Sequence, residues 1–274
     1  MPGTGKTGSG DAALVLREDA DRVRTLTLND PDRRNPLSLA LRVALLGELT
    51  AAMADPGVRA IVLTGTGPVF CAGGDLKSME RRPAAEAREL LVSAQAVVGT
   101  ILTGPTPVVA AVEGAAFGAG VALAAACDRV VTTTSARLGA TFTGVGLSGD
   151  MGIFWSLPHR VGTAWARRML MFGDVVDGPR AYEIGLADEI VDPGQARAAA
   201  LATAERIARG PAAALAAVKA LLDGAAGDRE AVLAAEAHQQ SMLSDTDDFA
   251  EGVAAFRERR APAFRSSIAR GDEV

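Results

Sequence analysis

The sequence predicts an α/β fold in which an α/β core is followed by a helical region. Three observations lead to this prediction. The composition is 49% hydrophobic but only 4% aromatic, so Ala, Val and Leu must fill most of the core. Short apolar runs typical of strands alternate with helical patterns as far as residue 133. Beyond Gly149 the pattern is almost wholly helical, and glycine and proline separate the segments.

The elements of the first half follow from their periodicity. Residues 13–18 and 23–29 alternate apolar and polar side chains, which predicts a β-hairpin. Ser38 is the predicted N-cap of a helix that ends near Ala54. A nearly all-apolar run is typical of a strand that is covered on both faces. Such strands are predicted at 58–64 and 108–112. A further strand is predicted at 129–133, and helices are predicted between the strands at 84–102 and 117–126.

The second half and the N-terminus are predicted from the same signals. The helices are expected at about 150–159, 162–171, 179–185, 194–208, 211–222, 229–243 and 246–259. Residues 1–11 are rich in Gly, Thr and Ser and are predicted to be a disordered tail. Their Gly5-Lys6-Thr7 fragment is not a phosphate-binding loop, because it lacks the upstream glycine and a preceding strand.

Charge and composition exclude several classes of protein. The net charge of −5 and a pI near 5.2 disfavour a nucleic-acid partner. Glu113 and three glycines interrupt the most apolar stretch, 108–127, so no membrane span is predicted and a cytoplasmic location is expected. Cys71 and Cys127 are expected to be buried, reduced thiols. No metal site is predicted, because the two histidines, His159 and His238, are distant and no carboxylates cluster at ligand spacing.

Two loops rich in small residues follow buried strands and open into helices. They span residues 69–77 and 112–120. Small residues let a ligand approach the backbone, and helix N-termini leave N–H groups unpaired. Two such loops side by side can present two N–H donors to one oxygen and stabilise a developing oxyanion. Tight turns and close helix packing are the alternative interpretation, and the absence of G-x-G-x-x-G disfavours a dinucleotide site.

Four motifs then occur in order along the chain. Phe70–Lys77 matches F-C-A-G-x-D-L, and Arg34–Ser38 is close to R-N-A-L-S. Val109–Asp128 carries a second small-residue segment that ends in Cys-Asp, and Glu251–Phe264 is close to E-G-x-x-A-F-x-E-K-R-x-P-x-F. Together they make the chain resemble the enoyl-CoA hydratase/isomerase, or crotonase, family over residues 12–265.

The resemblance implies a fold, an assembly and a binding mode. The fold would be a crotonase-like spiral of ββα units over residues 12–200, followed by a helical trimerisation region over 201–274. Homotrimers would assemble, and they often pair into hexamers. The Gly74 and Ala119 N–H groups would form the oxyanion hole. The substrate would be an acyl-CoA, with coenzyme A as the thioester carrier and no permanently bound cofactor.

Six residues are predicted to contact the coenzyme A part of the substrate. Arg34 and Lys77 would meet its phosphates, although solvated surface charge is the alternative for both. Asp75 is expected to organise its turn rather than to perform chemistry. Phe264 would close the adenine end of the site, from the same or a neighbouring subunit. The set is Arg34, Ala72, Asp75, Leu76, Lys77 and Phe264.

The catalytic side chains depart from the family's hydratase pattern. Hydratases that the chain resembles use two glutamates to hold and activate water. The corresponding positions here are Ala122 and Phe142, neither of which can transfer a proton. Asp150 is the candidate that replaces them, since isomerases of the ring-1,2-epoxyphenylacetyl-CoA and dienoyl-CoA types have a catalytic aspartate at or near this motif. A helix N-cap is the alternative role for Asp150.

One carboxylate suffices to move a proton between two carbons of an acyl chain. The sequence therefore favours double-bond isomerisation of an acyl-CoA with Asp150 as the acid/base. Two alternatives stay open at this stage. One is an enoyl-CoA hydratase with altered water positioning, and the other is a catalytically silent, CoA-binding homologue.

Overall fold

The computed structural model describes residues 13–224 and 228–265, so the predicted tail at 1–11 lies outside the described residues. Two sheets organise the chain. The strands are β1 Val15–Ala20, β2 Val23–Leu28, β3 Ala60–Gly65, β4 Val108–Val112, β5 Ala115–Phe117, β6 Arg129–Thr133, β7 Arg137–Gly139, β8 Val175–Asp177 and β9 Glu189–Val191. The larger sheet has the order β1-β2-β3-β4-β6-β9, and the smaller one has the order β5-β7-β8.

The larger sheet is parallel except at its first hairpin. β1 and β2 pair antiparallel, and each later pair is parallel. Alternate residues of the central strands serve two different cores. Ile61 and Leu63 belong to the main core, whereas Ala60 and Val62 belong to a second, smaller one. The sequence expectation of strands covered on both faces is confirmed.

The helices close both faces of this sheet. Their bounds are α1 Leu39–Ala54, α2 Ala84–Thr103, α3 Ala119–Ala126, α4 Ile153–Met171, α5 Gly178–Glu183, α6 Ala196–Ala208, α7 Ala212–Gly224, α8 Arg229–Leu243 and α9 Asp247–Glu258. Ser38 caps α1 as predicted, with its Oγ accepting from the Leu41 N–H at 3.2 Å. No described helix is both long and apolar enough to cross a membrane.

The predicted helices after Gly149 are present, but the prediction of an almost wholly helical region missed two strands. β8 and β9 lie in this part, and each is only three residues long. The short strands β5 and β7 were also not predicted. Runs of three residues show too little alternation to be recognised, and pairing with a neighbouring strand determines them instead. The predicted break between helices near residue 160 is present as a kink at Gly162 within α4, where φ is 71°.

The C-terminal helices divide into one that covers the sheet and three that do not. α6 packs Ala196, Ala200, Ala204 and Ala208 against the second core, and it runs across the predicted domain boundary at residue 200. Beyond it, α8 contributes no buried residue. Phe256 of α9 is 86% exposed. This part of the chain therefore presents an apolar surface to solvent.

Candidate active site

The two small-residue loops of the sequence lie side by side. The Phe70 N–H donates to the Glu113 carbonyl oxygen at 2.8 Å, and the Cys71 N–H donates to the Ala115 carbonyl oxygen at 3.1 Å. The Phe117 N–H donates in return to the Cys71 carbonyl oxygen at 3.1 Å. Cys71 thus extends the small sheet beside β5. Main-chain hydrogen bonds fix the relative position of the loops. Both loops follow buried strands as predicted, but only the second opens into a helix, because α2 begins at Ala84, well beyond the first loop.

Two glycines make this close approach possible. Gly73 has a φ of 100°, and a Cβ atom there would lie 2.6 Å from the Phe117 carbonyl oxygen and 3.6 Å from the Ala119 nitrogen. A Cβ on Gly120, within α3, would collide with the Cys71 carbonyl oxygen. Any side chain at either position would push the loops apart.

The gap between the loops presents two backbone donors. The Gly74 and Ala119 N–H groups have no hydrogen-bond acceptor within residues 13–224 and 228–265. Ala119 is the first residue of α3, where an N–H has no partner inside the helix. Ala119 does not adopt a positive φ, so its side chain causes no backbone strain at this position. Free main-chain N–H groups of this kind are the donors that an oxyanion hole uses, and the role of these two stays a prediction.

The first loop is anchored from the segment that precedes α1. The Ala72 N–H donates to the Arg34 carbonyl oxygen at 3.0 Å. Asn35 is fully buried, and its Nδ2 donates to the Thr66 and Val69 carbonyl oxygens at 2.9 and 2.8 Å. The sequence shows Asn35 only as part of a motif and does not indicate a role for it. In the fold its role is to satisfy backbone groups at the turn behind the loop.

Asp75 is engaged within its own turn. Arg33 Nη2 lies 2.5 Å from Asp75 Oδ2, and this ion pair lowers the pKa of the carboxyl. The Ser78 N–H and hydroxyl both donate to the Asp75 carbonyl oxygen at 3.0 Å. These contacts support the expectation that Asp75 organises the turn. Arg33, which sequence reasoning did not single out, supplies the charge that does so.

Asp150 lies in a glycine-rich loop just before α4. The N-cap of α4 is Gly152, which makes no side-chain cap, so the alternative role of Asp150 as a helix cap is wrong. Its Oδ1 is buried and has no hydrogen-bond partner among the described residues. Burial raises the pKa of Asp150, while the charge of Arg42 lowers it. Met151, the next residue, has a φ of 51° and is buried, a strained arrangement that fixes the loop.

Apolar side chains lie between Asp150 and the two small-residue loops, residues 69–77 and 112–120, which are the predicted oxyanion loops. Phe142 is buried, and its ring lies 3.8 Å from a Cβ built on Gly118 and 3.5 Å from one built on Gly149. Ala122 is fully buried one helical turn beyond Gly118. Apolar side chains therefore occupy both positions at which the resemblance places the hydratase glutamates. Their low polarity is consistent with the desolvation of Asp150.

The predicted coenzyme A contacts fall into two separate places. Arg34, Leu76 and Lys77 are exposed beside the first loop, and Ala72 is half-buried there. Phe264 lies elsewhere, in a cavity of about 420 Å³ formed by α7, α8 and α9. Within one chain Phe264 therefore does not line the loops, and its predicted contact stays a prediction.

The remaining candidates have structural roles. Both cysteines are free and buried, as predicted, and burial raises the pKa of the Cys71 and Cys127 thiols to about 12. His159 Nδ1 lies 2.6 Å from the Trp155 carbonyl oxygen within α4. In the part of the chain that the structure describes, no three His, Cys, Asp or Glu side chains form a group able to hold a metal ion.

Comparison with known proteins connects this geometry to a family. A sequence model described as enoyl-CoA hydratase/isomerase matches residues 18–267. Among solved structures, an enoyl-CoA hydratase from a Polaromonas species superposes with a TM-score of 0.87 at 35% identity, over 92% of this chain and 99% of that one. These matches confirm the resemblance that the four motifs indicated, and with it the crotonase-like fold class.

Relatives named for their reaction include both reaction types. The crotonyl-CoA hydratase of Syntrophomonas wolfei is 31% identical over 92% of this chain and 98% of its own length. The 1,2-epoxyphenylacetyl-CoA isomerase of Escherichia coli is 32% identical over the same shares of the two chains. Hydratase is the commoner name among the relatives. Their names leave the reaction of this chain undecided.

Proposed function

The chain belongs to the enoyl-CoA hydratase/isomerase family, whose members act on coenzyme A thioesters, and we propose that it moves a double bond along the acyl chain of an acyl-CoA, with Asp150 as the acid/base. The single observation that carries this choice is the Asp150 carboxylate. Its Oδ1 is buried without a partner among the described residues, while alanine and phenylalanine occupy the positions of the two hydratase glutamates.

The oxyanion loops supply the electrostatic part of the mechanism. The thioester oxygen accepts hydrogen bonds from the Gly74 and Ala119 N–H groups, which makes the protons on the neighbouring or conjugated carbon more acidic. Loss of one such donor in other enzymes costs about 2.7–4 kcal/mol of transition-state stabilisation. Because both donors belong to the main chain and are fixed by the pairing of the loops, they need no reorganisation during the reaction.

Asp150 performs the proton transfer. The ionised carboxylate takes a proton from one carbon of the acyl chain, and the electron pair of that C–H bond enters the conjugated enolate. The protonated carboxyl then returns the proton to a different carbon, the double bond forms at its new position, and Asp150 is again ionised. No water or other reactant is consumed, so one carboxylate is sufficient.

The test is a panel of unsaturated acyl-CoA thioesters assayed with wild type and Asp150→Asn. We expect a change in ultraviolet spectrum without a change in mass for wild type, and a loss of about 10²–10⁴-fold in the Asn variant. Asp192→Asn is the matched control, because Asp192 is exposed and distant in sequence from every candidate site residue. Equal turnover by wild type and Asp150→Asn would contradict the proposal.

Hydration is the second candidate, and the prevalence of hydratase names among relatives favours it. It would require Asp150 alone to activate a water that two glutamates hold in other members. The same panel distinguishes it, because a hydrated product gains the mass of one water. Binding of coenzyme A without turnover of any thioester would identify a catalytically silent homologue instead.

We also propose that the chain forms a homotrimer, with a hexamer built as a dimer of trimers as the larger assembly. The exposed apolar residues of the last helices support an assembly, since Leu233, Met242 and Phe256 are each more than half exposed. In such a trimer Phe264 would close the adenine end of a neighbour's site. Sedimentation equilibrium tests the stoichiometry, and a monomer at micromolar concentration would contradict it.

A further inference from the structure

The ring of Phe142 lies between the second oxyanion loop and the Asp150 loop. One edge of the ring, at Cε1, is 3.8 Å from a Cβ built on Gly118. The opposite edge, at Cδ2, is 3.5 Å from a Cβ built on Gly149. Gly118 immediately precedes the Ala119 donor, and Gly149 immediately precedes Asp150. The ring therefore spans the space between the donor and the carboxylate that are proposed to act on the acyl group.

Phe154 approaches the same place from the first turn of α4. Its Cε2 is 3.2 Å from the Cβ built on Gly149, so the rings of Phe154 and Phe142 converge beside the residue that precedes Asp150. Phe154 is 58% exposed. Leu147 is also half exposed, and its N–H donates to the Phe142 carbonyl oxygen at 3.1 Å. Several exposed apolar side chains in one place are typical of a ligand site.

Another apolar side chain lies at the first oxyanion loop. The Met79 Cε methyl is 2.6 Å from a Cβ built on Gly74, and Met79 is half exposed. Apolar side chains therefore lie beside both proposed N–H donors and beside the proposed acid/base. An acyl group placed among them loses contact with water, which favours an apolar chain and disfavours a charged one.

The charge of the Asp150 loop acts in the same direction. Between Thr141 and Gly152 the one charged residue is Asp150 itself. Asp150 must be ionised to take a proton in the proposed reaction. A carboxylate on the acyl chain would then lie near a like charge, and this segment supplies no cation to offset the repulsion.

We propose that Phe142 and Phe154 determine which acyl groups the site accepts: the two rings bind an apolar acyl chain beyond the carbon that Asp150 deprotonates, and the site discriminates against a chain that carries a carboxylate. The inference rests on the proposed function, because that function places the acyl chain between the N–H donors and Asp150. Packing against two rings removes an apolar chain from water. A carboxylate would lose its hydration against the same rings without a compensating partner.

The experiment compares two saturated thioesters of equal chain length, hexanoyl-CoA and adipoyl-CoA, of which only the second carries a carboxylate. Isothermal titration calorimetry measures their dissociation constants without turnover. Wild type should bind hexanoyl-CoA about tenfold more tightly or better. Phe154→Ala should weaken hexanoyl-CoA by about tenfold and adipoyl-CoA much less, so that the two constants converge. Equal binding of the two thioesters by wild type, or an equal loss of both in Phe154→Ala, would overturn the inference.

Phe172→Ala is the matched control. Phe172 is 77% exposed at the other end of α4, so its replacement removes the same kind of ring away from Asp150. Both dissociation constants should stay as in wild type, and a convergence equal to that in Phe154→Ala would contradict the inference. Phe142→Leu is the second test variant, because Phe142 is buried and leucine keeps the site apolar. It should also weaken hexanoyl-CoA more than adipoyl-CoA.

The binding readout separates this inference from the proposed function. Converging constants in Phe154→Ala support the selection of apolar acyl chains even if Asp150→Asn turns over unsaturated thioesters as fast as wild type, in which case the proposed function alone fails. Equal binding of hexanoyl-CoA and adipoyl-CoA by wild type contradicts the inference even if Asp150 proves to be the acid/base.

Discussion

The paired oxyanion loops and the Asp150 loop are built in opposite ways. The first loop is tied to its neighbour by three main-chain hydrogen bonds between residues 70–71 and 113–117. Its Asp75 is neutralised by Arg33. The Asp150 loop instead contains the strained Met151, and its carboxylate has an oxygen that no described group satisfies.

This difference separates the binding of the thioester oxygen from the proposed proton transfer. A main-chain N–H can donate to the carbonyl oxygen of any thioester, because the N–H is the same whatever side chain its residue carries. In the proposed reaction the chemistry depends on one side chain, Asp150, in a desolvated place, where a single substitution would redirect or abolish it. A family that keeps the loops and changes the carboxylates can therefore include both hydratases and isomerases, as the names of the relatives indicate.

The largest effect is expected from Gly73→Ala, which disturbs the pairing of the two oxyanion loops. The new Cβ would lie 2.6 Å from the Phe117 carbonyl oxygen, at a φ of 100°. We expect kcat/KM to fall by about 10²–10³-fold, because the two donors move apart, and the free energy of unfolding to fall by about 1–3 kcal/mol. Steady-state kinetics and denaturant unfolding measure the two quantities.

Gly99→Ala is the matched control for that experiment. Gly99 lies in α2, and a Cβ placed on it would have nothing within 4 Å, so alanine should stabilise the helix by about 0.4–1 kcal/mol and leave activity unchanged. Retention of full activity in a folded Gly73→Ala protein would show that the loops tolerate separation. The oxyanion geometry would then need another explanation.

An intermediate effect is expected from pH, which probes the Asp150 loop. Burial raises the pKa of Asp150 above its ordinary value. The base works only when ionised, so kcat/KM should be full above this raised value and should fall as the pH falls through it. The pH profile of kcat/KM measures this fall on the acidic side, and Asp150→Glu should move it to a different pH. If kcat/KM falls at the same pH in Asp150→Glu as in wild type, the fall belongs to a group other than Asp150.

The smallest effect is expected from Arg33→Gln, which removes the ion-pair partner of Asp75 and leaves the Gly74 and Ala119 N–H donors unchanged. Asp75 would lose the ion pair that lowers its pKa. Because Arg33 is exposed, we expect KM for the thioester to rise by less than about tenfold and kcat to change little. A large loss of kcat would mean that the turn, and not only the loop pairing, fixes the donors.

Sequence reasoning succeeded where the signal is local or repeated. The cap at Ser38 is confirmed, and so are the covered strands and the position of the two loops after strands. These features depend on periodicity and on residue types such as glycine at a close approach. The family followed from four motifs in order, and the comparisons confirm it.

The remaining features depend on contacts between distant parts of the chain. The three-residue strands β8 and β9 form only because a partner strand is present. Arg33 is 42 positions before Asp75, and nothing in the sequence around it indicates that it forms an ion pair with that carboxylate. By sequence alone a helix cap is the alternative role for Asp150, and only the fold shows that Gly152 is the N-cap of α4. Tertiary structure alone decides such roles.

The most direct test of the account is deuterium exchange from D₂O into the acyl chain of a bound thioester, followed by mass spectrometry. The product gains deuterium whenever the protonated Asp150 carboxyl exchanges its proton with solvent before returning it. Wild type should therefore incorporate the label, and Asp150→Asn should lose incorporation about 10²-fold or more, while binding of the thioester is preserved. Equal exchange in the two proteins would contradict the assignment of Asp150 as the acid/base.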